Sequence, residues 1–425
     1  MTGSPSGDAC GYVYPDVPGW GAVKGDPMVK RIVAWSDDEG AARAAGLFDV
    51  VLGGAADGVW AAPGRVNLIG EHVDYNAGLC MPIALPHSTY AAVRRRDDGV
   101  VRVVSGMDPE SVSIGPLTSI VPGGVPAWVG YAAGPAWALI EAGHTLGGFD
   151  LAIESSVPLG AGLSSSAAVE CATALALDSL YALGLADRGD AGRALLADAC
   201  VRAENEVAGA PTGGMDQAAS LRSTAGHALL LDARDGSVEP VPFDLTPAGL
   251  NLLVIDTQAK HALGDGQYGH RRSTCEAAAD ELGIASLREV TDLDAALAQL
   301  TDDWQRRCVR HVVTEIERVR EVVALLSDGR VREIGPLLVA SHASLRDDYA
   351  VSSPELDVAV DAALAAGALG ARMTGGGFGG SAIALVDADA SESVAEAVTA
   401  AFGAQGWTPP AVLSAVPSPG ARQVR

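Results

Sequence analysis

The 425-residue sequence contains no CxxC pair, although it has six cysteines, so neither a zinc site nor a dithiol redox site is indicated. It also lacks an apolar run long enough for a membrane span, because the longest weakly polar run, residues 127–140, is short and rich in glycine and alanine. Residues 1–8 show no basic region followed by an apolar stretch, so a secretory signal is not expected. These absences favour a reducing, cytoplasmic compartment.

Positive charge is also scarce in this chain. Lysine and arginine together number 29 against 53 aspartates and glutamates, which gives a formal net charge of −24. Nucleic acid and anionic membranes repel so acidic a chain, and we expect neither as a main partner. Small molecules are the expected partners, and the chain is expected to be a monomer or a weak homodimer. A negatively charged substrate would need a local positive field from arginine, backbone N–H groups or a metal ion.

The chain is long enough for two sizeable cores. Residues 1–34, rich in glycine, proline and aspartate, are predicted to form an extension. A change of domain is predicted near residues 235–250, which divides the remainder into residues 35–240 and 241–425. Strands are predicted at about residues 59–68, 88–95, 100–105, 149–154, 227–231, 250–255 and 382–386, and helices at about 41–52, 132–142, 167–183, 191–208, 271–282, 303–327 and 330–346.

The most informative segment is the run of residues 64–75, GRVNLIGEHVDY, which follows a short apolar strand. It holds Arg65, Glu71, His72 and Asp74 beside apolar residues, and polar groups buried in this way must find partners. A sugar suits carboxylates and an imidazole, whereas the planar donor fork of arginine suits phosphate or a developing alkoxide. An ion-pair network that only ties down a loop explains the same residues equally well.

A second segment, residues 158–168, PLGAGLSSSAA, joins a strand to a helix. Such a turn points backbone N–H groups and the positive end of a helix dipole at one place, and its glycines allow a phosphate to approach the backbone. The three serines add hydroxyls for phosphate oxygens or a hard cation. The glycines alone would fit an ordinary capped turn; together with the serine triplet, they favour phosphate binding.

Two acids and a glycine-rich loop complete the set of candidates. Glu204 adjoins the apolar stripe of a predicted helix, and Asp216 follows the glycine pair at 213–214. One acid could hold Mg²⁺ and the other accept a proton, as phosphoryl transfer requires. These acids have an alternative interpretation without a catalytic role: Glu204 is exposed to solvent, and Asp216 caps the next helix. The loop at residues 372–381, RMTGGGFGGS, can lie against another loop or a ligand, or simply connect two strands.

In this order, the four segments resemble the GHMP family of small-molecule kinases, and the first resembles the sugar-binding signature of its galactose-phosphorylating members. A single glycine-rich motif carries little information, whereas four in this order are specific. The resemblance implies an α+β fold with two lobes, the first similar to domain 2 of ribosomal protein S5 and the second an α/β sandwich. The active site would lie in the cleft between them. Further segments share the resemblance: residues 128–131, 226–230, 268–272 and 341–349.

The resemblance also implies a role for each matching residue. Asp216 and Arg65 would be catalytic: Asp216 would orient the sugar hydroxyl, and Arg65 would steady the transferring phosphoryl group. The implied sugar-binding residues are Arg65, Glu71, His72, Asp74, Gly213, Asp216 and Tyr268. The implied ATP-binding residues are Trp128, Tyr131, Pro158, Leu159, Gly160, Ala161, Gly162, Leu163, Ser164, Ser165 and Ser166, and the implied Mg²⁺ ligands are Ser166 and Glu204.

The activity implied by the resemblance is ATP-dependent phosphorylation of D-galactose at its anomeric hydroxyl, to give α-D-galactose 1-phosphate. A related sugar kinase that acts on N-acetylgalactosamine or arabinose is one alternative, because a few pocket residues decide between such sugars. Thr212 and Gly214 stand where the family more often has cysteine and isoleucine, which bears on sugar selectivity. A catalytically silent sugar sensor is a second alternative, although such a protein should have lost part of the serine loop or the catalytic acid.

Overall fold

The computed structural model of this chain describes residues 29–259 and 264–425. The predicted extension, residues 1–34, therefore lies mostly outside the described residues. Among the helices of the two described ranges, none combines the length and the low polarity that a bilayer crossing requires.

Strands and helices both occur throughout the described chain, in runs of consecutive strands and runs of consecutive helices. The strands are β1 (Lys30–Arg31), β2 (Gly58–Asn67), β3 (Leu79–Cys80), β4 (Pro82–Arg96), β5 (Val100–Ser105), β6 (Asp108–Pro116), β7 (Gly148–Ser155), β8 (His227–Asp232), β9 (Ser237–Pro242), β10 (Leu250–Asp256), β11 (Gly370–Thr374), β12 (Ser381–Asp387), β13 (Ala411–Ser414) and β14 (Arg422–Gln423). The α-helices are α1 (Asp37–Leu52), α2 (Ala127–Glu141), α3 (Ser165–Leu180), α4 (Asp190–Arg202), α5 (Met215–Arg222), α6 (Gly264–Leu282), α7 (Leu293–Gln299), α8 (Asp303–Ser327), α9 (Gly335–Asp347), α10 (Pro354–Ala365) and α11 (Ser391–Gln405).

The first lobe is built on a six-stranded sheet in the order β14-β2-β4-β7-β5-β6. In β7, Phe149, Leu151 and Ile153 enter a core shared with α2 and α3, whereas Ala152 lies in a second core with residues of α1. The strand predicted at residues 149–154 is therefore confirmed, and its side chains alternate between the two cores. Helices cover both faces of this sheet, and β2 is consequently buried along its whole length. The signature run, residues 64–75, begins in the last residues of β2 and continues into the turn that follows it.

The second lobe contains a five-stranded sheet in the order β1-β13-β10-β12-β11. Helix α8, 25 residues long, has the bounds predicted from its periodicity. Its buried stripe, Val309, Val312, Ile316 and Val319, recurs at steps of three and four residues and packs into the core of this lobe. At the start of α10, the Ser353 side chain accepts a hydrogen bond from the backbone N–H of Leu356 and caps the helix.

The first and the last strand of the described chain belong to different sheets. Strand β1 pairs in parallel with β13 of the second lobe, and β14 pairs in antiparallel fashion with β2 of the first. The division into residues 35–240 and 241–425 stays a prediction. A third, three-stranded sheet, β3-β8-β9, adjoins the signature run through β3.

One apolar core joins the two lobes below the signature run. Val66, Leu68 and Ile69 are fully buried and share this core with residues of α8 and of the second sheet. Arg372 of β11 reinforces the junction, because its Nη1 donates hydrogen bonds to the carbonyl oxygens of Asn67 and Leu68 at 3.1 and 3.0 Å. The polar side chains of the run are thus held in place by the apolar residues between them, which are buried in this core.

Candidate active site

A cavity of about 350 Å³ lies where the signature turn, the serine loop, the start of α5 and the glycine-rich loop before β12 meet. It brings together most of the residues that the sequence predicted. Its lining comprises Arg65, Glu71, His72, Asp74, Gly160, Gly162, Leu163, Ser164, Ser165, Ser166, Glu204, Pro211, Thr212, Gly213, Met215, Asp216, Tyr268, Gly375 and Gly376.

Arg65 and Asp216 form an ion pair in the middle of this cavity. The Arg65 Nη2 lies 2.7 Å from Oδ1 of Asp216, and its Nε donates to the same oxygen at 2.9 Å. A third donor, Nη1, binds the carbonyl oxygen of Gly162 in the serine loop at 2.6 Å. The guanidinium is therefore fixed between the carboxylate and the loop, and its positive charge is aimed at the place where the loop would receive phosphate.

The other carboxylate oxygen of Asp216 is bound by Ser164. The Ser164 hydroxyl donates to Oδ2 at 2.6 Å, and Ser164 adopts a left-handed backbone conformation with φ 57°. Non-glycine residues seldom adopt this conformation, and it typically costs about 1–3 kcal/mol. Although Ser164 occupies the N-cap position of α3, its side chain makes no capping hydrogen bond. Sequence reasoning assigned Ser164 to phosphate binding and missed this contact with the acid.

Glu204 lies in a π-helical turn, Ala203–Ala208, that continues α4. Gln217 donates from Nε2 to Glu204 at 2.5 Å and to the buried acid Glu170 at 3.0 Å. Burial, followed by the charge of Asp216, raises the pKa of Glu204 to about 7, while hydrogen bonds from Gln217 and Ser166 oppose the shift. The carboxyl group is thus poised to ionise when a cation approaches.

The residues near Glu204 fit a magnesium ion. Serine hydroxyl and carboxylate oxygens are the hard donors that Mg²⁺ prefers, and Ser166 is hydrogen-bonded to Glu204. Across residues 29–259 and 264–425, histidine, cysteine, aspartate and glutamate form no cluster of three or more that could hold a metal ion. In nucleotide sites, phosphate oxygens and water usually supply most of the ligands of Mg²⁺.

Asp74 faces this centre from the signature turn. A Cβ atom at position 213 would lie 1.9 Å from Oδ2 of Asp74, so any side chain there would displace this carboxylate. Burial raises the pKa of Asp74 to about 6, and the charges of Asp216 and Glu71 act in the same direction. The close approach of Gly213 and Asp74 explains why this position carries no side chain, and it leaves the Asp74 carboxylate accessible from the cavity.

Glu71 and His72 are both bound by the glycine-rich loop. Oε1 of Glu71 accepts hydrogen bonds from the Gly375 N–H at 2.6 Å and from Thr374 Oγ1 at 3.1 Å. The His72 ring contacts Tyr268 at a centroid distance of 5.5 Å. Burial, followed by the charge of His311, lowers the pKa of His72 to about 3, so the ring is neutral near pH 7. The glycine-rich loop thus lies against the signature turn. This agrees with the prediction that it can lie against another loop, rather than simply connect two strands.

Five predicted ATP-binding residues do not line the cavity: Trp128, Tyr131, Pro158, Leu159 and Ala161. Trp128, at the start of α2, and Leu159 are exposed apolar side chains. Ala161 is buried, and its carbonyl oxygen accepts a hydrogen bond from Ser381 at 2.7 Å, which ties the serine loop to β12. Roles for these five residues in binding ATP stay predictions.

Sequence reasoning missed several polar residues of the site. Gln217 is fully buried and follows Asp216 directly, so its position beside a candidate acid was an available signal. Tyr75 ends the signature run itself, and Tyr349 ends one of the segments that share the family resemblance. Thr374 ends β11, directly before the first glycine of the glycine-rich loop, and bonds to both Asn67 and Glu71. The partners of these residues could be identified only from the tertiary structure.

Comparison with known proteins places this geometry in a class. Sequence models of the GHMP kinases N terminal domain and the GHMP kinases C terminal match residues 131–224 and 313–404. The Methanococcus jannaschii mevalonate kinase has the same fold, with a TM-score of 0.59 at 15% identity over 87% of this chain and 99% of its own. The two-lobed fold and the site between the lobes define a GHMP kinase.

Within that class, the galactokinase galactose-binding signature matches residues 47–95. The galactokinase of Streptomyces coelicolor is 56% identical over 381 residues, which is 89% of this chain and 97% of the relative. A galactokinase of Mycobacterium tuberculosis is 44% identical over 86% and 99% of the two chains. The crystal structure of Lactococcus lactis galactokinase complexed with galactose matches with a TM-score of 0.84 and 32% identity, covering 89% of this chain and 98% of its own. The chain belongs to the galactokinase family.

Proposed function

We propose that this chain transfers the γ-phosphoryl group of ATP to the anomeric hydroxyl of D-galactose, giving α-D-galactose 1-phosphate and ADP. The observation that carries the proposal is the Arg65–Asp216 ion pair, which stands between an acid-rich pocket and the serine loop in one cavity. Membership of the family implies the use of ATP, and the L. lactis structure supports galactose as the acceptor because that relative is complexed with it.

The reaction follows from the placement of these side chains. A hexose bound by Glu71, His72 and Asp74 would present its anomeric hydroxyl to Asp216, which accepts the proton as the oxygen attacks phosphorus. Arg65 would remain close to the attacking sugar oxygen and to the oxygens of the transferring phosphoryl group. Its positive charge would offset the negative charge that develops on that group. In this proposal the serine loop binds the β- and γ-phosphates through its backbone N–H groups and hydroxyls.

Magnesium is part of this proposal. When bound, the ion would neutralise phosphate charge, and Ser166 and Glu204 would hold it. Gln217 donates a hydrogen bond to Oε2 of Glu204 and so restrains the position of this carboxylate. A monomer or weak homodimer in the cytoplasm remains our prediction for the state of the chain.

A coupled assay of ADP release across a panel of sugars tests the function. We expect turnover with galactose and ATP to exceed that with N-acetylgalactosamine, arabinose and glucose by at least ~10²-fold in kcat/KM, since each mismatched hydroxyl leaves buried polar groups unpaired. A preference for N-acetylgalactosamine or arabinose would replace the proposed acceptor. Binding of galactose without ADP release from any sugar would favour a sugar sensor instead.

We also expect galactose binding to weaken in acid. An ionised Asp74 accepts hydrogen bonds from sugar hydroxyls, and its pKa is raised to about 6 by burial. Only about a tenth of the molecules carry this charge at pH 5, so the dissociation constant for galactose should rise about tenfold between pH 7.5 and pH 5. Equilibrium titration of the protein with galactose, without nucleotide, measures this change.

The variant Asp74→Asn provides the control for this titration. Asparagine does not ionise, so the variant should bind galactose weakly and with a much flatter dependence on pH. A wild-type affinity that stays constant down to pH 5 would contradict the role given to Asp74.

A further inference from the structure

The signature turn carries three of the predicted sugar-binding side chains, Glu71, His72 and Asp74, and its backbone is unusual at two positions. Gly70 has a φ of 95° and His72 a φ of 59°, both on the left-handed side of the φ/ψ map, where residues other than glycine are uncommon. A residue such as His72 persists in this conformation only where its surroundings hold it there. The groups that bind the backbone of the turn therefore determine where its side chains lie.

Two side chains of α8 bind both polar backbone groups of Glu71. The carbonyl oxygen of Glu71 lies 3.1 Å from Nε2 of His311, which must be the donor because a carbonyl oxygen can only accept. The N–H of Glu71 at 3.4 Å and that of Gly70 at 3.0 Å both donate to Oε1 of Glu315. His311 and Glu315 are four residues apart on the helix, so they share one face of it.

Glu315 is a fully buried acid that the proposed reaction does not use. Burial opposes its ionisation, but the charges of Arg318 and Arg372 lower the pKa of Glu315 to about 2, so it is a carboxylate at neutral pH. Arg318 donates from Nε to Oε2 at 2.8 Å, whereas Oε1 accepts from the turn. Hydrogen bonds to an ionised group are roughly twice as strong as those between neutral groups, so this carboxylate is well suited to hold backbone N–H groups.

Two serine hydroxyls of α9 fix these α8 side chains in turn. Ser341 donates to Oε1 of Glu315 at 2.7 Å, and the Ser344 hydroxyl lies 2.9 Å from Nδ1 of His311. Burial lowers the pKa of His311 to about 4, so the ring is neutral near pH 7, and Nδ1 accepts the proton of Ser344. Both serines belong to residues 341–349, a segment that shares the family resemblance but contributes no group to the proposed reaction.

We propose that His311 and Glu315 are positioning residues that hold the backbone of Glu71 and so keep the signature turn in the conformation that binds the hexose. This inference rests on the proposed function, because it assigns the turn to sugar binding. His311 and Glu315 do not line the cavity, so they would act through the turn and not by touching the sugar. When either bond is lost, fewer molecules have the competent turn, and the apparent dissociation constant rises in proportion.

The variants His311→Leu and His311→Gln test the bond to the Glu71 carbonyl. Leucine is apolar and removes the donor, whereas glutamine has an amide that can replace the ring N–H. In His311→Leu, the dissociation constant for galactose, measured without nucleotide, should rise about 3- to 10-fold, as expected for one lost neutral hydrogen bond. His311→Gln should restore most of this affinity. ATP affinity should not change in either variant, because the serine loop is untouched.

Glu315→Gln tests the bonds to the N–H groups. A carboxamide cannot accept from both the turn and Arg318, because its nitrogen only donates. Galactose affinity should fall by about tenfold, since the lost bonds involve a charged group. Backbone amides of residues 64–75 should also exchange their hydrogens faster than in the wild-type protein. ATP affinity should again be unchanged, and the His311 variants decide the matter even if Glu315→Gln does not fold.

Asp150→Asn is the matched control. Asp150 of β7 is also a fully buried acid, it accepts hydrogen bonds from Arg94 and Arg102 at 2.6 Å each, and it lies outside the cavity lining. This variant should lose thermal stability, as Glu315→Gln should, but keep the galactose affinity and the exchange rates of residues 64–75.

Two results would overturn the proposal while leaving the proposed function intact. One is that His311→Leu and Glu315→Gln fold and bind galactose as tightly as the wild-type protein. The other is that Asp150→Asn loses as much galactose affinity as Glu315→Gln, since the loss would then follow from general destabilisation. Wild-type protein that binds no galactose would instead refute the proposed function, and this inference with it.

Discussion

Asp216→Asn is expected to lower kcat by ~10²- to 10⁴-fold, the usual contribution of a positioned general base. Asparagine keeps the size of the side chain and can still accept from Arg65, but it cannot take the proton of the sugar hydroxyl. Its amide also disrupts the 2.6 Å hydrogen bond from Ser164, which requires an acceptor at Oδ2. Galactose affinity should stay within about tenfold of the wild-type value, because the other acids of the pocket are untouched.

A matched control exists in the pair formed by Asp232 and Arg288. The two pairs have similar separations, 2.7 Å for Arg65–Asp216 and 2.9 Å for Arg288–Asp232, and in each the arginine side chain is at most 9% exposed and the aspartate is partly exposed. Asp232→Asn removes an equivalent ion pair away from the cavity, so it should reduce stability to a comparable degree while preserving kcat. Near-normal kcat in Asp216→Asn would show that the acid has been assigned wrongly.

Glu204→Gln is expected to abolish most activity and, at the same time, to stabilise the metal-free protein in alkaline solution. The pKa of Glu204 is raised from 4.5 to about 7, chiefly by burial. Between these two pH values the folded state binds more protons at this position than the unfolded state, so the wild-type protein loses stability as the pH rises. The charge of Glu204 therefore costs roughly 3 kcal/mol of unfolding free energy at pH 8, and glutamine removes that cost.

Urea denaturation at pH 8 and near pH 4 separates this effect from other consequences of the substitution. The variant should exceed the wild-type protein in stability at pH 8, and the difference should vanish below pH 4.5, where Glu204 is protonated in both the folded and the unfolded wild-type states.

Glu206→Gln, two residues further on, is the control. Glu206 is exposed and pairs only with Arg202 among its described contacts, so this substitution should shift stability by no more than ~0.5 kcal/mol. Mg²⁺ with ATP should stabilise the wild-type protein but not Glu204→Gln. Equal stability of Glu204→Gln and wild type at pH 8 would refute the electrostatic account.

Several elements could be read from the sequence because their signals are local. Helix α8 was predicted with its observed bounds, since its apolar residues recur at steps of three and four without interruption. The predicted strand at 88–95 is in fact part of a longer strand, β4 (Pro82–Arg96), whose first residues adjoin the buried signature run. The helix predicted from residue 330 begins later, because a 3₁₀ turn, Val331–Ile334, precedes Gly335 and the proline at the start of α9.

The site was predictable at the level of its parts. The motif at 64–75 supplied Arg65 and two of the acids, Glu71 and Asp74, and the glycines and serines at 158–168 supplied a loop with a phosphate-binding character. What the motifs did not provide was the list of partners. Ser164 could be interpreted as a helix cap or a phosphate ligand, and its hydrogen bond to an acid 52 residues away was not among the possibilities considered.

By itself, the sequence determined which chemical groups this protein has, the order in which they occur and the family to which they belong, because motifs and periodicities depend on neighbouring residues. Only the tertiary structure decided which atoms meet. Arg65 and Asp216 are 151 residues apart and become an ion pair through the packing of several elements around one cavity. The pKa values of Asp74 and Glu204 are likewise properties of the cavity, since burial and nearby charge exist only once the chain has folded around these two side chains.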